Sequence, residues 1–521
     1  MYQLSFSRQF RAFGARALRV LRGIFDSLAD PRYFAWTTLR NLRAQLRHTQ
    51  SSGYLREMTS LGTSVLCIGT VANGLLLAAQ LRAADRPNIV LIMLDDAGYG
   101  DLSCYGQQKF STPNVDRLAT EGMRFTHHYS GSTVCAPTRC VLMTGMHTGH
   151  CHIRGNREVS PEGQAPLLAD TPTMARLLKR AGYATGCFGK WGLGAPGSEG
   201  DPTQQGFDEF YGYNCQRQAH SYYPTHLWHN TTQIPLDGKT YSHDLIMAAS
   251  LEFIRTHSGD PFFCFLPITI PHAAMQVPEA YAAPFRKIFP QFERETGRFT
   301  GPAVKNPAAA FAGMMTKMDD GMGEVLALLE ELRLADNTIV LFTSDNGPHR
   351  EGGHDPGFFN SSGSLRGLKR DLFEGGIRTP LLARWPGHVV AGAESDLLCA
   401  HWDLLPTLCA LAGAAAPPGI DGISIAPTLL GESDAQQHHE FLYWEFYEQG
   451  GKRAVRFGDW KVTQLDVLKK ADGPLLVFDL AKDPGEQHNV AATQAEVVAR
   501  AKRYFAAAHV PSAHWKFNDR R

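Results

Sequence analysis

The stretch Asn88-Ile89-Val90-Leu91-Ile92-Met93-Leu94-Asp95-Asp96 joins an unbroken apolar run to a pair of carboxylates. A continuous rather than alternating run is expected of a strand buried on both faces, as in a parallel sheet. Three other runs share this build. Thr338-Ile339-Val340-Leu341-Phe342-Thr343 ends in Ser344-Asp345-Asn346-Gly347, Pro261 to Leu266 leads to Pro271-His272, and Tyr183 to Phe188 leads to Gly189-Lys190. Helical patterns at Thr173 to Arg180 and Met322 to Leu334 lie between them, so the order predicts an α/β domain with a mostly parallel sheet. Ligands of such sheets bind outside the carboxyl ends of the strands. Four strand ends carrying Asp, Asp/Asn, His and Lys are therefore expected to converge on one crevice.

A chain of 521 residues has room for one large domain and a smaller companion. Hydrophobic content of 43% and charged content of 20% are ordinary for a globular protein, and a net charge of zero offers nothing to nucleic acid. Residues 85–430 are read as the catalytic domain. Beyond them the texture changes: Glu440 to Tyr447, Arg453 to Arg456, Trp460 to Thr463 and Leu475 to Phe478 are short and rich in aromatic or β-branched residues, ahead of a helical pattern from Thr493 to His509. Residues 431–521 are expected to form a small antiparallel sheet with one helix packed on it.

Residues 1–57 hold ten arginines and no lysine against Asp26, Asp30 and Glu57. The uncharged run Ser60 to Leu81 follows, with a length that suits a secretory signal or a short membrane span. A start at Met58 gives a conventional signal over 58–84, cleaved near Ala83 or Ala84, and an exported protein, periplasmic or extracellular, with residues 1–57 an over-extended start. The alternative is a cytoplasmic arm with an uncleaved anchor at 60–81, its arginines on the cytoplasmic side. Ten cysteines are present. Leaving out Cys67 and Cys135, an even number remains, which permits disulfides without fixing their pairing.

The chemistry is carried by short motifs. Asp95 and Asp96, within Leu94 to Asp101, and Asp345-Asn346 supply hard oxygen donors, a set that suits calcium better than zinc and asks more exacting geometry of magnesium. Taken singly, each is equally a turn or a helix cap. The run Val134-Cys135-Ala136-Pro137-Thr138-Arg139 adds a third element. A buried thiol acting as a small hydrophobe accounts for neither Pro137 nor Arg139 at those offsets.

This last run resembles the C-x-P-x-R signature of the type I sulfatases, in which a maturation enzyme converts the cysteine to formylglycine. The resemblance extends from Arg86 to Val490. Gly189-Lys190-Trp191-Gly192-Leu193-Gly194 is similar to G-K-W-H-L-G, Pro271-His272 to the family's P-H, and Gly367-Leu368-Lys369 with Glu374 to Pro380 to G-x-K followed by E-G-G-x-R-x-P. Asp483 to Val490 is similar to D-P-x-E-x-x-N. The resemblance implies an alkaline-phosphatase-like fold and hydrolysis of sulfate monoesters by a formylglycine hydrate at position 135. It assigns Arg139 to orienting the hydrate, Lys190 and Lys369 to clamping sulfate, His272 to sulfate binding and general acid catalysis, and Asp95, Asp96, residue 135, Asp345 and Asn346 to Ca2+, with Mg2+ second. The family's histidine is Gly192 here, and His220 is expected to fill that gap.

The segment Cys215 to Pro224 and the stretch Asn346 to Asp355 resemble a subgroup of bacterial carbohydrate sulfatases, within a group that includes arylsulfatase A-like enzymes. The substrate expected is a sulfated saccharide, 4-sulfated galactose or N-acetylgalactosamine, in a pocket lined by Arg217, His220, His349, His354 and Asp355. Two other readings stand beside this one: a phosphomonoester or phosphonate hydrolase of the same superfold, and a non-catalytic binder of sulfated glycans.

Overall fold

In the computed structural model, which describes residues 86–517, alternate side chains of one strand enter two different apolar cores. Ile89, Leu91 and Met93 of β1 (Asn88–Asp95) pack on one side, and Val90, Ile92 and Leu94 on the other. That is the physical meaning of the unbroken run, since neither face of the strand meets water.

The remaining strands of this sheet are β2 (Met123–Phe125), β3 (Ala184–Lys190), β4 (Glu209–Tyr213), β5 (His226–His229), β6 (Thr232–Pro235), β7 (Phe262–Pro271), β8 (Thr338–Ser344), β9 (Leu381–Arg384) and β10 (Ala393–Ser395). Their spatial order is β10-β2-β9-β8-β1-β7-β3-β4-β5-β6. The five central strands, β8 to β4, run parallel. Antiparallel strands extend the sheet on both sides. Register then places the functional ends side by side: Leu94 pairs with Ser344, Asp95 with Pro271, and Lys190 with Tyr213.

Helices cover both faces. On one lie α1 (Cys135–Thr144), buried along its whole length, and α2 (Met174–Arg180), whose Thr173 cap accepts the Arg176 N–H. On the other lies α3 (Pro307–Glu331), with Phe311, Met314, Met315 and Met318 against the sheet. The helical pattern at Met322 to Leu334 is only the last part of α3. Its first nine residues are all buried, so they lack the polar face on which a helical period is read. Pro307 at its first position and the Asn306 cap, which accepts the Ala309 N–H at 2.9 Å, fix its start.

The C-terminal sheet is an antiparallel meander of β11 (Leu442–Phe446), β12 (Lys452–Phe457), β13 (Trp460–Leu465) and β14 (Leu475–Asp479). Helix α4 (Ala495–Ala508) packs on one face through Val497, Ala501, Tyr504 and Phe505. Leu442, Trp444, Phe446 and Ala454 turn the other way and join the core that holds α1. The basic N-terminal stretch and the run Ser60 to Leu81 lie outside the described residues. Among those described, no helix is long and apolar enough to cross a membrane, and all nine cysteines are free thiols.

Candidate active site

Residue 135 opens α1. Val134 before it is extended and offers no side-chain cap, while the Ala136 N–H is accepted by Asn156 Oδ1 at 3.1 Å. The helix start is thus partly unpaired, a setting that favours anions. Pro137 falls within the first turn, where its missing N–H costs nothing. Arg139, one turn on from Cys135, points the same way along the helix. Its guanidinium contacts the Lys190 carbonyl, Asp95 Oδ2 at 3.3 Å and Asp345 Oδ2 at 3.4 Å.

Cys135 Sγ lies 3.4 Å from Asp95 Oδ1 and 3.4 Å from Lys190 Nζ. In a formylglycine hydrate this atom's place is taken by a hydroxyl oxygen. Burial, then the neighbouring Asp95, push the pKa of the thiol far above the ordinary range, and Lys190 and Lys369 do not offset this.

Two lysines reach the crevice from opposite sides. Lys190, at the end of β3, places Nζ 2.5 Å from Asp95 Oδ2. Lys369 places Nζ 2.8 Å from Asp96 Oδ2 and 3.0 Å from His272 Nε2. Burial disfavours the charge on both, yet Asp95 for Lys190 and Asp96 for Lys369 hold each ammonium above its usual range. Burial by itself would raise Asp95, but Lys190, His272, Arg139 and Lys369 together bring it well below the carboxylate range.

His272 donates Nδ1–H to the Ala273 carbonyl, leaving the Nε2 lone pair toward Lys369. Burial and Lys369 hold its pKa well below the usual histidine value, which favours the neutral imidazole.

The donor set expected to hold a cation is assembled. One ligand atom each from Asp95, Asp96, Cys135 and His272 lies within 4.8 Å of the others. Asp345 Oδ1 accepts the Asp96 N–H at 3.0 Å, and Asn346 Nδ2 donates to Asp96 Oδ1 at 2.7 Å. Two features fit a hard divalent cation. Asn346 Oδ1 is buried with no hydrogen-bond partner among the described residues. Burial and the charges of Asp95 and Asp96 push the Asp345 carboxyl up to about 7, a shift that a bound cation would oppose.

The expected sugar-reading residues divide. His220 stacks flat on His272, with ring centroids 4.8 Å apart and planes 3° from parallel, and burial and Lys190 lower its pKa to about 3. His349 lies against the same ring at 5.7 Å, fixed by Nε2 to the Pro271 carbonyl and by the Glu351 N–H on Nδ1. Of the other three, His354 keeps a ring contact with His349 at 5.0 Å, while Arg217 and Asp355 are engaged elsewhere. Arg217 is exposed and bonded to the Pro161 carbonyl beside Glu158. His354 is sandwiched among Phe311 and Phe359 in the core. Asp355 caps the turn Pro356–Phe359, accepting the Gly357 and Phe358 N–H groups. A histidine directly after a glycine pair and an aspartate before proline read alike as ligands or as turn residues, and here packing holds the one and capping the other.

Sequence patterns gave no sign of Asn156, Asn214 or Gln216, since amides follow no metal or acid spacing. Gln216 lies over Gly192: a Cβ built there would fall 2.4 Å from Gln216 Nε2. A second gathering, His147, His150 and Asp421, is a turn clasp. Asp421 accepts the His147 N–H and meets His150 Nδ1 at 2.8 Å. The Gly149 N–H occupies His147 Nδ1, leaving the proton on Nε2, the atom facing Asp421.

Comparison with known proteins agrees with this geometry. The Sulfatase family profile matches residues 87–414, and that for the C-terminal part of N-sulphoglucosamine sulphohydrolase matches 368–507. The chain is 35% identical over 472 residues to arylsulfatase A of Bos taurus, covering 82% of this chain and 88% of that one. It is 32% identical over 460 residues to N-acetylgalactosamine-6-sulfatase of Homo sapiens, covering 80% and 83%. Among solved structures it resembles Ps i-CgsB in complex with k-i-k-neocarrahexaose, with a TM-score of 0.69, 27% identity, and coverage of 81% of this chain and 92% of that one. With strand ends, helix start and lysines arranged as described, the chain belongs to the type I sulfatase family and is a sulfuric ester hydrolase.

Proposed function

We propose that this protein removes sulfate from a sulfated saccharide, using residue 135 as a formylglycine hydrate and a bound Ca2+ ion. The observation that carries the reading is the surrounding of position 135: it opens a buried helix between Asp95 and Lys190, where a thiol stays protonated and a hydroxyl is well placed. Ca2+, held by Asp95, Asp96, Asp345 and Asn346 with residue 135, would polarise the sulfuryl group and favour the ionised hydroxyl.

The chain's own groups do the rest. Arg139 fixes residue 135 and the carboxylates in one array. Lys190 and Lys369 take sulfuryl oxygens from either side, exchanging part of their contact with Asp95 and Asp96. An oxygen of residue 135 forms the new bond to sulfur as the bond from sulfur to the alcohol oxygen breaks. The alcohol takes a proton from His272 Nε2, where the anionic ester offsets Lys369 and Lys190 and so favours the imidazolium. The second hydroxyl of residue 135 then passes its proton to His272 Nε2, which the alcohol has left neutral, its C–O bond closes to the carbonyl, and sulfate departs with the other oxygen. Splitting the transfer in two is ordinary nucleophilic catalysis.

The sugar is placed in the galactose series. The names of the relatives support this: one is an N-acetylgalactosamine-6-sulfatase, and a structural neighbour was solved with a neocarrahexaose. The sequence reading gave 4-sulfation, and 4- and 6-sulfated galactose and N-acetylgalactosamine are the saccharides to compare. The protein acts outside the cytoplasm, the setting to which the apolar run at 60–81 directs it.

The test is turnover by matured enzyme of that panel beside the matching phosphate esters. Sulfate release from a saccharide, with the phosphate ester cleaved far more slowly, is expected. Preference for phosphate, or an unmodified Cys135 by peptide mass in protein from the native host, would overturn the proposal in favour of a phosphohydrolase or a binder respectively.

A further inference from the structure

Gln216 is a buried amide with no structural employment. Its Nε2 has no hydrogen-bond partner among the described residues, and the residue is 5% exposed, against 3% for Cys135. A buried N–H group left unpaired is costly, and native structures seldom keep one without a use.

The backbone fixes where it sits. Beyond the paired ends of β3 and β4, the Trp191 N–H continues to the Tyr213 carbonyl at 2.9 Å and the Gly192 N–H to the Asn214 carbonyl at 3.1 Å. The two segments therefore stay zipped past the sheet edge, and residue 216 is carried over the same edge as Lys190. Gly192, with φ of +75°, leaves its outer side bare, and the Gln216 amide fills that space. Asn214 beside it has both amide atoms buried and unpartnered. Four residues beyond Gln216, His220 lies on His272. The segment from Asn214 to His220 thus spans the crevice from the Lys190 side to the His272 side.

From this we infer that Gln216 donates its side-chain N–H to a sulfuryl oxygen of the bound ester, from the space a side chain at position 192 would otherwise take. Position favours the sulfuryl group over the sugar: Gln216 Nε2 lies over Gly192, two residues beyond the Lys190 whose ammonium meets Asp95. A neutral donor also suits a site that already holds Arg139, Lys190 and Lys369, since it adds a hydrogen bond to the anion without another buried charge.

The inference rests on the sulfate-ester reading above, and its test is chosen to fail separately. Binding of inorganic sulfate to the full-length protein is measured by calorimetry for wild type, Gln216→Ala and Gln216→Glu. Turnover of 4-nitrophenyl sulfate and of a sulfated monosaccharide is measured in parallel. Sulfate binding and kcat/KM on both esters should fall together by about 10- to 100-fold in Gln216→Ala. They should fall further in Gln216→Glu, whose carboxylate opposes the anion. Gln216→Glu keeps the side-chain shape, so it carries the test if the alanine variant folds poorly. Unchanged sulfate binding in both variants, or a loss confined to the saccharide, would overturn the inference. Wild-type protein that binds sulfate but turns over no sulfate ester would count against the proposed function alone.

Discussion

The proposed function has residue 135 act as a hydrate and not as a thiol, in keeping with the burial and the neighbouring Asp95 that push a thiol's pKa upward there. Cys135→Ala should lower turnover by at least about 10,000-fold, the scale seen when a nucleophile is removed. Cys135→Ser should release at most a single equivalent of alcohol and then stall, having no second hydroxyl to expel sulfate; burst kinetics with 4-nitrophenyl sulfate check this. Lys369 is the joint between Asp96 and His272, and Lys369→Ala should cost about 100- to 1,000-fold in kcat/KM, as for one lost donor to developing charge. A circular dichroism spectrum matching wild type would keep that loss from being ascribed to misfolding. Asp345 and Asn346, whose Oδ1 has no partner among the described residues, stand where the proposed function puts the cation. Chelation should lower both activity and melting temperature, with Ca2+ restoring them at lower concentration than Mg2+. At a hundred times its Kd the ion should add about 2.7 kcal/mol to stability.

Elements meet at this site through backbone rather than through side chains. The loop carrying Lys369 is held to the end of β8 by the Gly347 N–H bonding the Gly376 carbonyl at 3.0 Å. The approach is so close that a Cβ on Gly347 would fall 1.9 Å from the Gly375 carbonyl oxygen. The glycines of Asn346-Gly347 and Glu374-Gly375-Gly376 are therefore two halves of one contact, which sets Lys369 over Asp96. Gly347→Ala has nowhere to relax except by parting the two loops. It should destabilise by about 1–3 kcal/mol or more and lower activity beyond what the fall in melting temperature explains. A variant with wild-type kcat/KM and melting temperature would show that the loops are not coupled in this way.

On the scale of the whole molecule, the C-terminal sheet is clasped to the large sheet at Glu374. Its carboxylate meets Lys461 Nζ at 2.8 Å, Tyr129 Oη at 2.5 Å and Arg456 Nη1 at 3.4 Å, all buried. Glu374→Gln would leave Lys461 buried with its charge unmatched, and unfolding in denaturant should show a loss of about 3–5 kcal/mol. Burial opposes ionisation of Glu374, but Lys461, Arg456 and Arg378 bring its pKa to about 2. Its contribution is present above the unfolded value near 4.5 and is lost as pH falls toward 2. Glu486 behaves in the opposite sense. It accepts the Glu374 N–H at 2.7 Å, and burial, with Glu374 nearby, raises its pKa to about 8. The folded state then keeps a proton that the unfolded chain releases above about 4.5, so stability should decline between pH 4.5 and 8. Glu486→Gln should flatten that decline, which melting temperatures measured across the interval would show.

The Asp-Pro-x-Glu motif near the end of the chain thereby gains a physical role that its pattern did not reveal. Glu486 ties the C-terminal region to the glutamate of Glu374-Gly375-Gly376. Unbroken apolar runs and the residues that follow them were enough to read the parallel sheet and its functional edge, because burial on both faces and a strand end leave local marks, whereas Cys135, at the start of a helix, was read only through the resemblance of its motif. The helical pattern showed only part of α3, because a helix buried on every side carries no periodic contrast. His354 and Asp355, read as sugar-reading residues, are held by packing and capping contacts, and Gln216 lay within a segment quoted for its resemblance without a role of its own. The chain alone determined which residues could do the chemistry. Only tertiary structure decided which of them meet, since contacts such as Gln216 over Gly192 and Lys369 on Asp96 join residues distant in sequence through geometry that no local pattern encodes.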